Sequence, residues 1–187
     1  MTTYDQLLAL MTTRRSIRSF SSDPIEWENL KKILEAGRIA PSVENIQPWE
    51  FHVVLDSLLK TELMKTSCYG NFVAGSSVFI VLACDKSSAA GAVCTMWNPR
   101  EMEYSCAMAA YSMMLAATSM GIGSCWVSLH HGPAHQALKL KEHQMVVGGL
   151  MLGSIKKGDE EASREPERKP LGSLVTYYEE TKKKAGK

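Results

Sequence analysis

Several absences narrow the possibilities before any motif is read. No apolar stretch approaches the ~20 residues that a membrane-spanning helix needs, and the runs at 77–84 and 145–152 are far shorter. Residues 1–13 have neither the basic start nor the apolar core of a signal peptide, so a soluble cytoplasmic protein is expected. Charge of one sign is also missing: 21 Lys and Arg against 20 Asp and Glu leave a formal net charge of +1. Such a balance gives no broad field for nucleic acid or a membrane surface. There is no Cys-x-x-Cys. The five cysteines, Cys68, Cys84, Cys94, Cys106 and Cys125, are odd in number and scattered, which predicts reduced thiols filling the core. No internal repeat or low-complexity segment appears, which excludes solenoid architectures.

What is present suits a single globular domain spanning 1–187, with 182–187 as a basic tail. The chain is 45% hydrophobic and 22% charged, and a chain of this length removes roughly 70% of its unfolded surface from water on folding. Asp23-Pro24-Ile25-Glu26 combines an N-cap, a first-turn proline and an acid. Trp27, Leu30, Ile33 and Leu34 follow at helical spacing, predicting a helix over 24–37. Segments 50–56, 77–84, 124–129 and 145–152 are rich in β-branched and aromatic residues and read as strands. Between the second and third, Met102, Cys106, Ala109, Met113, Ala117 and Met120 advance by three or four residues toward Gly121, predicting a long buried helix over 101–120. Its other face is small or apolar as well, which suits a crowded core or a subunit interface. Residues 156–169 read as a polar surface excursion. Leu171, Leu174, Val175 and Tyr178 then predict a short docked helix. Strands interleaved with helices fit either an α+β or an α/β arrangement.

Two segments carry candidate chemistry. Arg14-Arg15-Ser16-Ile17-Arg18 gathers three guanidinium groups and a hydroxyl within five residues, a donor set suited to a phosphate monoester. An isolated string of this kind also fits a solvated basic turn between helices. Residues 40–49, APSVENIQPW, combine two prolines, two amides and an indole in a stiff loop that could grip a planar heterocycle, or simply join a helix to a strand.

Taken together, RRSIRSF followed some twenty residues later by APSVENIQPW and a strand resembles the start of the nitroreductase family of FMN-dependent oxidoreductases. The stretch 120–127, MGIGSCWV, is similar to the glycine-rich turn and strand of that family, and 165–175, EPERKPLGSLV, to its closing basic-proline segment. The resemblance implies an α+β fold with a central, mostly antiparallel mixed sheet flanked by helices, in an obligate homodimer with FMN at the subunit interface. It also implies that Arg14 and Ser16 hold the FMN phosphate with Arg15 beside them, and that Arg168 joins from the C-terminal side. Arg18 would reach the ribityl chain and the pyrimidine edge, where a guanidinium favours the reduced ring. Pro41, Ser42 and Val43 would approach from the partner subunit, while Asn45 and Gln47 organise the polar edge of the ring. Val127 and Ser128 would run beside the flavin N5, the Ser128 amide mattering more than its side chain.

The implied activity is transfer of hydride from NAD(P)H to nitroaromatics, quinones or similar flat acceptors by a ping-pong scheme, with no protein acid, base or nucleophile. A specialised flavin reaction, such as reductive dehalogenation or oxygen-dependent chemistry, and a non-catalytic flavin sensor remain alternatives. The sequence departs from the family where Leu129, His130 and His131 replace a glycine-containing stretch, and where Leu152-Gly153-Ser154-Ile155 lacks an aromatic-proline ending. His130, His131, His135 and His143, with Cys125 nearby, lack the paired short spacings of zinc ligands, so no metal is expected. Cys68 and Cys106 lack sequence-local partners, which favours core filling over redox chemistry.

Overall fold

The structure, a computed structural model, describes residues 2–67, 75–89, 98, 100–158 and 167–178. Cys68, Cys94, the 159–166 part of the polar excursion and the 182–187 tail lie outside the described residues. Strands β1 (Trp49–Val54), β2 (Val78–Asp85), β3 (Ile122–Val127) and β4 (Gln144–Ser154) form one sheet in the order β1-β2-β4-β3, every neighbouring pair antiparallel. A parallel bridge between Ser16 and Ser124 adds the Arg14–Arg18 segment beyond β3 and makes the sheet mixed.

Strand β2 is central, and seven of its eight residues are buried, because helices cover both faces of the sheet. The strand alternation sorts them. Val78, Ile80 and Leu82 face a core built with Leu30 and Ile33 of α2 (Trp27–Arg38) and Met113 and Ala117 of α4 (Glu101–Ser119). Phe79 and Val81 face a second core with Leu63 of α3 (Ser57–Lys65) and Ala134 of α5 (His131–Ala137). The predicted stripe of α4 is buried at Met102, Cys106, Ala109, Met113 and Ala117. Its small residues let α2 come close: a Cβ at Gly37 would lie 2.2 Å from Met113 Cε. Helix α1 (Thr3–Thr13), capped by a reciprocal Thr2–Asp5 pair, packs near α4 yet buries none of its residues.

Two expectations are corrected. Helix α2 begins at Trp27 with Glu26 as N-cap, not at Pro24. Asp23 is engaged elsewhere: its carboxylate accepts from Ser21 Oγ at 2.8 Å, and its carbonyl accepts from Ser77 Oγ at 3.1 Å and Ser154 Oγ at 3.3 Å, tying the lead-in to the strand ends. The predicted docked helix after Leu171 is a single 3-10 turn, Leu171–Ser173, and Leu171, Leu174, Val175 and Tyr178 are all exposed, since no groove among the described residues receives them. Cys106 is buried, as core filling predicts, and the fold brings it a thiol partner distant in sequence: Cys84 at the end of β2 hydrogen-bonds it, and that contact together with burial raises its pKa. Cys84, Cys106 and Cys125 are all buried.

The sheet also sets a limit on packing near the site. A Cβ on Gly149 of β4 would fall 2.3 Å from Cζ of the fully buried Phe79 and 3.4 Å from Leu129 Cδ1. Gly149→Ala is therefore expected to destabilise the fold by about 1–3 kcal/mol through overpacking. Denaturant unfolding would register this as a lower midpoint with an unchanged slope.

Candidate functional site

The basic segment owes its geometry to the edge of β3. Helix α1 ends at Arg14, whose φ of −57° and ψ of 131° turn the chain into extended backbone. Ile17 N–H then donates to Ser124 O at 2.9 Å, setting the segment parallel to β3. Ile17 is 2% exposed, so by strand alternation Arg14, Ser16 and Arg18 occupy the side opposite Arg15 and Ile17. Arg14 and Arg18 flank the bridged Ser16, and by Phe20 the chain pairs instead with Ile155, just past the end of β4. At a strand rise the row spans about 13 Å. Arg18 Nη1 donates to Ser16 O at 3.1 Å. Arg15 turns back, donating to the carbonyls of Thr12 and of Arg14. It lines a cavity of about 140 Å³ with Thr13, Ile17, Thr118 and Gly121 at the end of α4. The five-residue cluster is thus a row of three with Arg15 outside it.

The 41–47 loop is pre-formed. Ser42 Oγ accepts from Gln47 N–H at 2.9 Å, Ser42 O from Asn45 N–H at 3.1 Å, and Asn45 O from Gln47 Nε2 at 3.1 Å. Val43 N–H donates to Ser105 Oγ on α4 at 3.2 Å, and Val43 packs beside Met102 and Cys106. These bonds hold three non-glycine residues at positive φ: Glu44 at 45°, Asn45 at 56° and Gln47 at 53°. Each costs on the order of 1–3 kcal/mol and persists only where the surroundings impose it. Because Ser42 Oγ already accepts from within the loop, its proton is directed outward. Gln47 spends its amide inside the turn, whereas the Asn45 side-chain amide is exposed and bonds nothing among the described residues.

The two halves stand at opposite edges of the sheet. The loop leads into β1 and the arginine row lies beyond β3, four inter-strand steps or about 19 Å apart. One chain does not bring Pro41, Ser42, Val43 and Asn45 to Arg14, Ser16 and Arg18. Arg168 is exposed on the C-terminal arm and donates to its neighbour's carbonyl, Glu167 O, at 3.3 Å. Val127 is buried in its pairing with Gly149, and Ser128 follows it exposed.

The histidines have separate engagements. His131 Nδ1 accepts from Val146 N–H at 3.1 Å, His135 Nε2 meets Lys141 O at 2.9 Å, and His143 Nε2 lies 3.8 Å from Asp85. Among the described residues no three metal-ligating side chains converge. Nor is any described helix long and apolar enough to cross a membrane.

A model of the family described as "Nitroreductase family" matches residues 11–75 and 66–154. The chain belongs to the nitroreductase family. A protein of Archaeoglobus fulgidus provisionally named NADH dehydrogenase/NAD(P)H nitroreductase is 33% identical over 152 residues, covering 81% of this chain and 83% of the relative. The 5,6-dimethylbenzimidazole synthase of Rhodospirillum rubrum is 29% identical over 149 residues, covering 67% and 70%. A nitroreductase from Desulfovibrio desulfuricans, provisionally so named and solved in complex with FMN, superposes with a TM-score of 0.79 at 26% identity, covering 94% of this chain and 98% of that one.

Ser105, which anchors the nitroreductase loop, escapes a sequence reading because a serine in a run of Ala, Ser and Met looks like helix filler. Its only signal is its place on the buried stripe beside Cys106. The strain in the loop is directly measurable. Glu44→Gly relieves a left-handed non-glycine residue and is expected to raise stability by about 1 kcal/mol. A calorimetric melting temperature no higher than wild type would contradict this.

Proposed function

We propose that this nitroreductase-family chain is a cytoplasmic FMN-dependent oxidoreductase that draws on NAD(P)H and works as a homodimer. The row of Arg14, Ser16 and Arg18 at the edge of β3 carries the reading. FMN has a phosphate at one end and a flat, largely uncharged ring at the other. The donor set fits that polarity: Arg14 and Ser16 offer a charge and a hydroxyl for the phosphate. Arg18, nearly 13 Å further on at a strand rise, offers a charge to the pyrimidine edge. Bound there, FMN supplies two-electron chemistry, accepting from NAD(P)H and passing the pair to a flat acceptor such as a quinone or nitroaromatic in ping-pong alternation.

The chain's own residues bind and orient. Arg18 stabilises negative charge that gathers on the pyrimidine edge, favouring the reduced state. The Ser128 amide faces N5. The pre-formed 41–47 loop presents Pro41, Ser42, Val43 and Asn45 to the cofactor of the partner subunit, with Gln47 holding the turn. Arg168 reaches the phosphate from the arm. Arg15, turned toward α4, supports the segment from behind.

A second copy also accounts for the apolar surface. Tyr104, Met108 and Tyr111 of α4 repeat at helical spacing on an exposed face, and Tyr4, Leu7, Leu8 and Met11 of α1 are exposed as well. The arm exposes Leu171, Leu174, Tyr177 and Tyr178. Apolar surface on this scale marks an interface, and an isologous dimer buries it twice over. The kinship with a dimethylbenzimidazole synthase favours a second reading, a specialised flavin reaction on the same scaffold. Rapid bleaching of the yellow protein by NAD(P)H and recovery with a quinone supports the first reading over the second.

Arg14→Ala combined with Ser16→Ala removes donors worth about 1–3 kcal/mol each. FMN affinity measured by fluorescence quenching is expected to fall at least about tenfold, and unchanged affinity would sink the phosphate assignment. Tyr104→Glu with Tyr111→Glu should yield a monomer that loses FMN together with its partner. A monomer that stays yellow in sedimentation would contradict the shared site.

A further inference from the structure

Among the described residues, the outer edge of β3 is covered in two places and open between them. Ser124 pairs with the Arg14–Arg18 segment, and further along Leu129 pairs with Ser67 in an isolated antiparallel bridge. His130 N–H donates to Thr66 O at 2.7 Å. Residues two apart along a strand present their backbone groups to the same edge. Ser124 turns its carbonyl outward, so the N–H of Ser128, continuing the alternation, points to that same edge. It falls in a slot beside Thr66 and donates to nothing among the described residues.

Both walls of this slot are fixed. On one side Val127 is paired with Gly149, and Leu129 packs into the core beneath α5. On the other, Thr66 is buried at the C-terminus of α3. Thr66 Oγ1 donates to Leu63 O at 2.7 Å and Ser67 Oγ to Met64 O at 2.9 Å. Their hydroxyls thereby satisfy the last carbonyls of the helix and leave Thr66 O for His130. Helix α3 is itself pinned by buried Lys60, whose Nζ donates to Ser76 O at 2.7 Å at the entry to β2.

We propose that the C-terminal turn of α3 is a strut that sets the position of the Ser128 amide against the flavin N5, acting through the hydrogen bond from His130 N–H to Thr66 O. The proposal rests on the FMN reading above. Thr66 touches no reacting atom and is a positioning residue. An N–H donor held at N5 stabilises the oxidised ring, whose N5 is a bare acceptor, over the reduced ring, whose N5 carries a proton. A loosened strut therefore raises the two-electron potential.

His130 sits at φ −71°, the value that proline adopts. His130→Pro thus deletes the N–H without opposing the local backbone, and His130→Ala deletes the side chain while keeping the N–H. In the FMN-loaded proteins, His130→Pro is expected to shift the oxidised/reduced equilibrium about tenfold toward reduced, close to 30 mV for two electrons. His130→Ala should shift it far less. A potential unchanged in His130→Pro, or shifted equally in both variants, overturns the strut while leaving FMN binding intact. A wild-type protein that takes up no FMN overturns both readings. Should His130→Pro fail to fold, amide exchange in the wild type decides the matter. The His130 amide is expected to be protected without FMN, and the Ser128 amide only with it. Equal exchange of the two amides in flavin-free protein overturns the proposal.

Discussion

The hydrogen bond from Ile17 N–H to Ser124 O is the constraint on which the site depends. It converts the residues after α1 from a basic turn into an extra strand on the sheet's edge. With the backbone so held, side-chain alternation alone aligns Arg14, Ser16 and Arg18 and buries Ile17 as the anchor. The parallel bridge at Ser16 then places the row along β3. Charge placed this way is held by backbone pairing rather than by long side chains finding one another, so little conformational freedom remains to be lost when an anion arrives.

The other half of the site is rigid for a different reason. Three left-handed residues in the 41–47 loop are held by the Ser42 hydroxyl, the Ser105 hydroxyl and the fixed φ of the flanking prolines. One half is built from regular pairing and the other from imposed strain. Their separation across the sheet makes each chain a donor of two unlike surfaces, an arrangement that a two-fold axis can complete.

Much of the core was legible in the sequence, because β2 and β4 bury most of what they contain and α4 buries a continuous stripe, and their apolar periods have no competing polar pattern. The ends were less so. Asp23 looks like an N-cap, but its carbonyl serves hydroxyls from 54 and 131 residues away, a demand that no local pattern records. Helices α1, α3 and α5 were not predicted as elements. Helix α1 buries no residue within the chain, α3 hides a lysine, and α5 is a seven-residue helix that opens on His131. At the site, RRSIR and the proline-rich loop were visible through their family resemblance. The reversal of Arg15 depends on the bridge to Ser124, and the thiol contact of Cys84 with Cys106 on the crossing of β2 by α4, both tertiary facts.

The alternation along Arg14–Arg18 has a consequence for how this chain can change over time. A strand's side chains reverse sides with each residue gained or lost, so a single deletion between Thr13 and Ile17 would set an arginine into the hydrophobic slot and an isoleucine among the polar side chains of the row. Substitutions there can be graded, whereas changes of length cannot. The spacing from the end of α1 to Ile17 is therefore the part of the motif with the least freedom to drift.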